Sequence, residues 1–213
     1  MKSWLLVVGL SLSTTALHGG IIFTLGNNPE PDEHNVLLNN GTSGNDVFGT
    51  LNGVPGVTAQ FSSTQTLQEP SSGQARITVD PGTTALTNVM ISLVGGITFS
   101  DVIFNPDITG RVGTPGGTAT VTVNSVDNLG NPELASTFSY TLGNGNNFLT
   151  ITTSGGETIV DTKIDYPSGF TDLREVRISG VSGLQSVLEP STFVPLMALA
   201  LGSIGLVRRS RKG

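Results

Sequence analysis

Groups that could support nucleophilic or metal-assisted catalysis are scarce in this sequence. Histidine occurs twice, as His18 and His34, and there is no Gly-x-Ser-x-Gly segment, the sequence that presents a serine nucleophile in many hydrolases. A metal site could draw on Asp32, Glu33 and His34, but adjacent side chains rarely converge on one ion, and catalytic zinc needs three protein ligands in fixed geometry. We therefore interpret this segment as an acidic surface loop.

Paired carboxylates are the remaining route to catalysis, because glycoside hydrolases place two of them around the scissile bond. The candidates are Asp101 with Asp107, and the group Glu157, Asp161 and Asp165. These acids fall at alternate or turn positions of extended segments, so we predict that they lie on solvated strand faces. The sequence predicts a protein that is not an enzyme.

Oxygen-rich turns could bind calcium. Asp127, Asn131 and Glu133 supply side-chain oxygens at spacings that a calcium loop could use. The complete EF-hand order is absent, and turn-forming residues explain the segment without a metal. Residues 44–49 resemble one copy of the calcium repeat of RTX proteins, which needs tandem copies to stack. Calcium bound to Asp127, Asn131 and Glu133 is thus one expectation, and a chain without any cofactor is the other.

Short runs of Val, Ile, Thr and Phe between Gly, Asn, Ser and Pro predict an all-β fold. We expect an antiparallel β-sandwich, either jelly-roll or Ig-like, over residues 17–187. The predicted strands cover residues 21–25, 36–38, 57–61, 75–79, 89–94, 97–104, 119–126, 137–142, 148–153, 158–164 and 174–178.

Two local patterns make this prediction more specific. Ala119, Val121 and Val123 alternate with threonines, which predicts one core face and one solvated face. Residues 148–153 and 158–160 flank Gly155-Gly156, which predicts a hairpin. We expect residues 137–164 to form an antiparallel meander.

Charge and cysteine content narrow the function classes. Residues 21–188 carry 15 acidic and 5 basic side chains, a balance of about −10. Nucleic-acid binding is disfavoured, because it needs clustered Lys and Arg to neutralise phosphates. The chain has no cysteine, which excludes disulfides and thiol chemistry. About 170 residues between the terminal segments suit one domain.

The N-terminus has the layout of a secretory signal peptide. Lys2 precedes an apolar run at residues 4–12, and small residues follow at 13–16. We expect export through the Sec translocon and cleavage by signal peptidase after Ala16.

The C-terminus predicts a short transmembrane helix. Residues 193–207 are 15 residues without a charge, about 22 Å long as a helix against a hydrocarbon core of about 30 Å. An ordinary uncleaved anchor or a buried helix are the alternatives. A basic cluster at residues 208–213 follows and would keep this end in the cytoplasm as a stop-transfer signal. Its charged residues are Arg208, Arg209, Arg211 and Lys212.

Residues 188–213 together resemble the PEP-CTERM sorting signal of exported bacterial proteins. The residues at the motif are Leu188, Glu189, Pro190, Ser191 and Thr192, and Leu188 replaces the first proline of the usual family motif. The resemblance implies an exosortase as processing partner and a protein that is anchored transiently in the inner membrane.

The leading functional hypothesis is a non-catalytic structural protein of the bacterial surface or of the exopolysaccharide layer of a biofilm. A carbohydrate-binding or calcium-dependent adhesion module is the alternative. The scarcity of aromatic residues outside the terminal segments favours the structural hypothesis, because sugar sites usually present aromatic faces.

Overall fold

The structure, a computed structural model, describes residues 19–70, 76–79, 85–108 and 116–183, which all belong to one unit, Met1–Gly183. These residues form twelve strands and no helix, so the predicted all-β class is confirmed. The strands are β1 (Gly20–Leu25), β2 (His34–Leu37), β3 (Ser43–Leu51), β4 (Thr58–Gln68), β5 (Arg76–Val79), β6 (Leu86–Leu93), β7 (Asp101–Asp107), β8 (Thr118–Val126), β9 (Ser136–Thr141), β10 (Leu149–Ser154), β11 (Thr158–Phe170) and β12 (Asp172–Ser179).

The pairings between these strands are all antiparallel, as predicted. Their hydrogen-bonded order is β1-β10-β7-β12-β2-β3-β4-β6-β11-β8-β9, and β5 pairs with both β12 and β4. Phe23 of β1 stacks on Phe138 of β9, with 5.1 Å between ring centroids. The two ends of the strand order therefore meet through their aromatic side chains.

The hydrophobic core lies on one face of most strands. On β8, Ala119, Val121 and Val123 are fully buried, which confirms the predicted alternation. Burial of a large apolar side chain contributes roughly 1.5–3 kcal/mol, and this is the main source of stability in a chain without disulfides. The largest aromatic side chains of the core are Phe61, Phe99, Phe104, Tyr166 and Phe170.

The strand faces turned away from this core fall into two groups. We call the outward side of β10, β7 and β12 the buried polar face, because polar side chains there are mostly covered. We call the outward side of β3, β4, β6, β11, β8 and β9 the open polar face, because its side chains are half-buried or exposed.

Two predicted connections are wrong. β10 and β11 follow each other through a turn at Gly155 and Gly156, but β10 pairs with β1 and β7 while β11 pairs with β6 and β8. There is consequently no hairpin and no meander over residues 137–164. A glycine turn reverses the chain, but it does not determine whether the next strand pairs with the previous one.

The start of β7 and the whole of β3 also differ from prediction. The strand predicted at 97–104 begins at Asp101, because Thr98 and Phe99 make isolated bridges to Ser182 and Ile159 instead. Residues 44–49, which resemble an RTX repeat, lie inside β3, which was not among the predicted strands. A register shift between Gly44 and Asp46 accommodates this turn-like sequence within the strand.

Several predictions fall outside the described residues. These are the signal peptide at 1–16, the motif at 188–192, the apolar span at 193–207 and the basic tail at 208–213. Within the described ranges, the chain contains no helix that could span a bilayer.

Candidate functional site

A row of polar side chains crosses the buried polar face at one end. Asp101 of β7 is the direct cross-strand partner of Thr152 on β10 and of Ser179 on β12. Directly opposed residues in antiparallel strands point to the same side of the sheet. Thr152, Asp101 and Ser179 therefore share one surface.

An acidic turn, residues 30–33, lies over this row and is held by Glu33. The Glu33 Oε1 atom accepts a hydrogen bond from the Glu30 backbone N–H at 2.9 Å, and Oε2 pairs with Arg177 Nη1 at 2.8 Å. Arg177 also donates to the side chain of Asn27. Because Arg177 belongs to β12, these contacts fix the acidic turn to the sheet. The positive φ of Asp32, 62°, closes the turn.

Between the acidic turn and the polar row lies a cavity of about 410 Å3, which we call the Asp101 pocket. Most of the residues that line it have polar side chains. The residues that line it are Glu30, Pro31, Asp32, Ser100, Asp101, Thr152, Thr153, Ser179 and Gly180.

Asp101 is the buried charge of this pocket. Asp101 is 2% exposed. Neither of its carboxylate oxygens accepts a hydrogen bond of ordinary geometry from a described residue. Burial, reinforced by the negative charges of Glu33 and Glu30, raises the pKa of Asp101 from 3.8 to about 7, although Ser179 and Arg177 oppose the rise. Asp101 is therefore partly protonated near neutral pH.

A β-bulge on β12 places the cationic side chains of this face. The pairing with β7 shifts register between Arg174 and Arg177, and Glu175 has a φ of 54°. The extra residue keeps both arginines on the buried polar face, with Val176 in the core. With strict two-residue alternation along the strand, one of the two arginines would point into the core. The sequence pattern alone therefore does not identify this arrangement.

Gly180 packs closely at the edge of the pocket. It has a φ of 59°, and a Cβ atom there would lie 1.7 Å from Ser100 Oγ. Only a residue without a side chain allows β12 to end against Ser100 in this way.

An ion-pair network occupies the other end of the buried polar face. Asp172, which is fully buried, lies 2.6 Å from Arg76 Nη2 and 2.5 Å from Arg174 Nε. Arg174 also pairs with Asp107. Hydrogen bonding to Asp172 is the main cause that raises the pKa of Arg174. These carboxylates have cationic partners, so a structural role explains them.

Along their strands, the backbone positions of two candidate catalytic pairs are spaced more widely than the carboxylates of a glycosidase. Asp101 and Asp107 are six residues apart on β7, which corresponds to about 20 Å, and Asp161 and Asp165 on β11 are about 13 Å apart. The two carboxylates of a glycosidase are about 5–9.5 Å apart. The prediction that these acids are solvated is wrong for Asp101, Asp107 and Glu157, which are buried. Glu157 binds the hydroxyl of Ser125.

In the turn predicted to bind calcium, the carboxylate oxygens of Asp127 accept hydrogen bonds from the turn itself. Asp127 Oδ1 accepts hydrogen bonds from the backbone N–H groups of Leu129 and Asn131, both at 2.8 Å, and Oδ2 accepts one from Asn131 Nδ2 at 2.8 Å. These bonds lower the pKa of Asp127. Glu133, which follows shortly after Asn131 in the sequence, is exposed. Its backbone N–H donates a hydrogen bond to the Ser125 carbonyl. Calcium at Asp127, Asn131 and Glu133 stays a prediction.

Asp32, Glu33 and His34 diverge. Glu33 binds Arg177, whereas His34 Nδ1 lies 2.8 Å from the carbonyl oxygen of Asn52 and donates to it. In the described part of the chain, no three acidic or histidine side chains converge as metal ligands would.

The open polar face consists of hydroxyl, amide and charged side chains that bind one another laterally. Gln60 donates to Asp46 at 3.0 Å, and Asn124 donates to Asp161 at 2.8 Å. Lys163 pairs with Asp165 at 2.9 Å. Such a surface offers many hydrogen-bonding groups to solvent.

The residues of the predicted sorting signal lie outside the described ranges, so no geometry accompanies Leu188, Glu189, Pro190, Ser191 and Thr192, or Arg208, Arg209, Arg211 and Lys212. The chain matches no protein-family model, no curated protein and no solved structure.

Proposed function

We propose that this chain is an exported bacterial protein with a non-catalytic structural role at the cell surface or in the exopolysaccharide layer of a biofilm. The observation that carries the proposal is the order of elements at the C-terminus. A Glu-Pro-Ser-Thr sequence beginning at Glu189 precedes 15 apolar residues and then a basic cluster. An exosortase would recognise and process this tail after export by the Sec translocon and removal of the signal peptide.

The finer architecture belongs to the same proposal. We infer a two-layer β-sandwich of jelly-roll type, supported by the stacking of Phe23 on Phe138 from opposite ends of the strand order. The order also alternates early and late strands, with β7 between β10 and β12.

The open polar face supports a structural role in a hydrated polymer. Its hydroxyl and amide groups can exchange hydrogen bonds with polysaccharide at many points, each contributing little. Thr120, Thr122 and Ser139 are examples, and the first and last lie 3.3 Å apart through their hydroxyl oxygens. The separations of the acidic pairs, in turn, give no support to a hydrolytic role.

A carbohydrate-binding or calcium-dependent adhesion module is the second candidate, and one observation favours it. Phe48 is 42% exposed on the open polar face, opposite Gln60 on the neighbouring strand. An aromatic face beside polar groups is the usual platform for a sugar ring. Tyr140 and Tyr166, the other aromatic candidates, are buried.

Glycan-array binding of wild type and Phe48→Ala, each with and without EDTA, separates the two candidates. The leading proposal expects no specific glycan captured by either protein. Capture that is lost in Phe48→Ala, or lost with EDTA, would replace it with the adhesion proposal.

The sorting proposal is tested by substitution at the C-terminal motif. We expect Glu189→Gln and Pro190→Ala each to accumulate unprocessed precursor in the inner membrane of the native host. The matched control is Glu30→Gln, because Glu30, like Glu189, is followed directly by a proline, Pro31. Unchanged fractionation and mass after the Glu189 and Pro190 substitutions would refute the signal, and so would an equal defect in the control.

A further inference from the structure

We propose that the Asp101 pocket binds a calcium ion, with Asp101 as the anchoring ligand and the acidic turn as the second source of carboxylate oxygen. This inference is independent of the sorting signal, because it concerns the β-strand unit alone.

Asp101 presents a buried carboxylate without a cationic partner. The residue is 2% exposed, and within the described structure neither oxygen accepts a hydrogen bond of ordinary geometry, although the Ser179 hydroxyl favours the charged form. An ionised carboxylate that is removed from water needs a cation or several hydrogen bonds to offset its lost hydration. Asp172, on the neighbouring strand, has two arginines for this purpose. Asp101 has none, so its negative charge remains available to a bound cation.

The charges around the pocket leave an excess of carboxylate. Arg177 is the cation near Asp101, but its guanidinium group is bound to Glu33 and Asn27. Glu30 and Asp32 line the pocket together with Asp101, and no described basic side chain forms an ion pair with any of the three. The pocket therefore attracts positive charge.

The chemistry of the lining favours a hard cation. Carboxylates are accompanied by the hydroxyls of Ser100, Thr152, Thr153 and Ser179, and no aromatic side chain lines the pocket. Ca2+ takes six to eight oxygen ligands at about 2.3–2.6 Å in flexible geometry, whereas Mg2+ demands a near-ideal octahedron. An irregular oxygen-lined pocket of about 410 Å3 suits the first ion better.

Binding requires a small rearrangement. Three acidic side chains do not yet converge anywhere in the described ranges, and the Asp101 oxygens are covered. Because Glu33 holds the backbone of the acidic turn to the sheet, the side chains of Asp101 and of Glu30 or Asp32 must reorient toward the same ion, with hydroxyls or water completing its shell. A site that has to reorganise in this way should bind in the range of about 10⁻⁴ to 10⁻³ M that is typical of extracellular calcium modules.

The experiment measures thermal unfolding of the full chain at pH 8, after removal of metals, with and without about 10 mM CaCl2. At roughly ten times the dissociation constant, we expect Ca2+ to raise the Tm by about 3–6 °C. Asp101→Asn should fold normally and should lose this response, because it retains the shape of the side chain without its charge. Asp32→Asn should reduce the response.

The matched control is Asp127→Asn, which alters the other candidate turn and should keep the full response to Ca2+. Three results would overturn the proposal. The first is the absence of a Ca2+-dependent rise in the Tm of wild type. The second is a full rise in the Tm of Asp101→Asn, and the third is the loss of the rise in Asp127→Asn. An equal rise with MgCl2 or with NaCl of matched ionic strength would also overturn it, because it would indicate general screening of an acidic protein.

Discussion

The buried polar face carries two aspartates in opposite situations. Asp101 and Asp172 lie on neighbouring strands, β7 and β12, and both are at most 2% exposed. Asp172 is held by Arg76 and Arg174, whereas no described basic side chain forms an ion pair with Asp101. Equal burial thus has two consequences. At the Asp172 end of the face, ion pairs neutralise the buried carboxylate. At the Asp101 end, no ion pair offsets the charge of the buried carboxylate.

The difference arises from the placement of very few basic side chains. The bulge at Glu175 puts Arg174 beside Asp172 and Arg177 beside the acidic turn. Because Arg177 forms its ion pair with Glu33, it does not form one with Asp101. In a buried ion pair the attraction roughly offsets the desolvation of both charges, whereas an unpaired buried carboxylate lowers stability and is a candidate for ligand binding.

The largest expected effect follows from removing a cation at the Asp172 end. Arg174→Ala deprives both Asp172 and Asp107 of a partner. Breaking a fully buried pair costs about 3–5 kcal/mol, but Arg174 is 39% exposed and Asp172 keeps Arg76, so solvent screening reduces our expectation to about 3 kcal/mol. We expect the free energy of unfolding, measured in urea, to fall by this amount. A loss below about 1 kcal/mol would show that the two ends do not differ as described.

The next effect concerns the backbone beside Asp101. Gly180→Ala places a Cβ atom against Ser100 at a φ of 59°, and we expect it to destabilise the fold by about 2–3 kcal/mol. Gly116→Ala is the control, because Gly116 has a φ of 91° and no atom lies within 4 Å of the point that its Cβ would occupy. Gly116→Ala should therefore lower the free energy of unfolding only by the backbone strain of a positive φ, about 1 kcal/mol. Equal losses would contradict the close packing of β12 on Ser100.

The opposite sign is expected when the charge of Asp101 is removed. Since the pKa of Asp101 is raised from 3.8 to about 7, its contribution to stability is complete below pH 3.8 and is lost as the pH rises through 7. In EDTA, Asp101→Asn should therefore match wild type near pH 3.5, where the carboxyl is largely protonated in both states, and exceed it at pH 8.5. The full rise in pKa corresponds to about 4 kcal/mol, and solvent near the pocket reduces our expectation to about 2 kcal/mol.

Chemical denaturation of both proteins at the two pH values checks this prediction. Asp107→Asn is a useful counterpart, because Asp107 is paired with Arg174 and its neutralisation should destabilise the protein. If Asp101→Asn is less stable than wild type at pH 8.5, Asp101 has a partner and the comparison with Asp172 fails.

The smallest effect is expected on the open polar face. Lys163 and Asp165 are exposed by 48% and 38% and form an ion pair at 2.9 Å. Exposed pairs contribute little, so Lys163→Ala should change the free energy of unfolding by less than about 0.5 kcal/mol. It removes the same charge as Arg174→Ala, and because the two cations are similarly exposed, the gap between the variants measures what burial of the partner carboxylates adds. A loss in Lys163→Ala as large as that in Arg174→Ala would contradict this account.

Local patterns in the sequence predicted the class of the fold well. The alternation of Ala119, Val121 and Val123 with threonines predicted a core face correctly, because it depends only on neighbouring residues. Strand pairing was harder to predict. Gly155 and Gly156 form the predicted turn, but tertiary contacts such as the bridge between Phe99 and Ile159 direct β11 away from β10.

The Asp101 pocket could not be predicted from the sequence. Asp101, Ser179 and Glu30 are far apart in the chain, and only the pairing of β7 with β12 and the contact of Glu33 with Arg177 bring them together. A weak signal existed in Leu173 to Arg177, where two arginines flank Glu175 and Val176. Their spacing of three residues breaks the two-residue period of a strand and indicates a bulge.

The central functional claim is that the β-strand unit is exported and separated from both terminal segments. Intact-mass determination of the protein isolated from its native cells tests this claim most directly. We predict a polypeptide that begins near Leu17 and ends near Glu189, well below the 22.0 kDa of the full chain once any glycan is removed. Recovery of the unmodified chain from residue 1 to residue 213 at 22.0 kDa would contradict the proposed function.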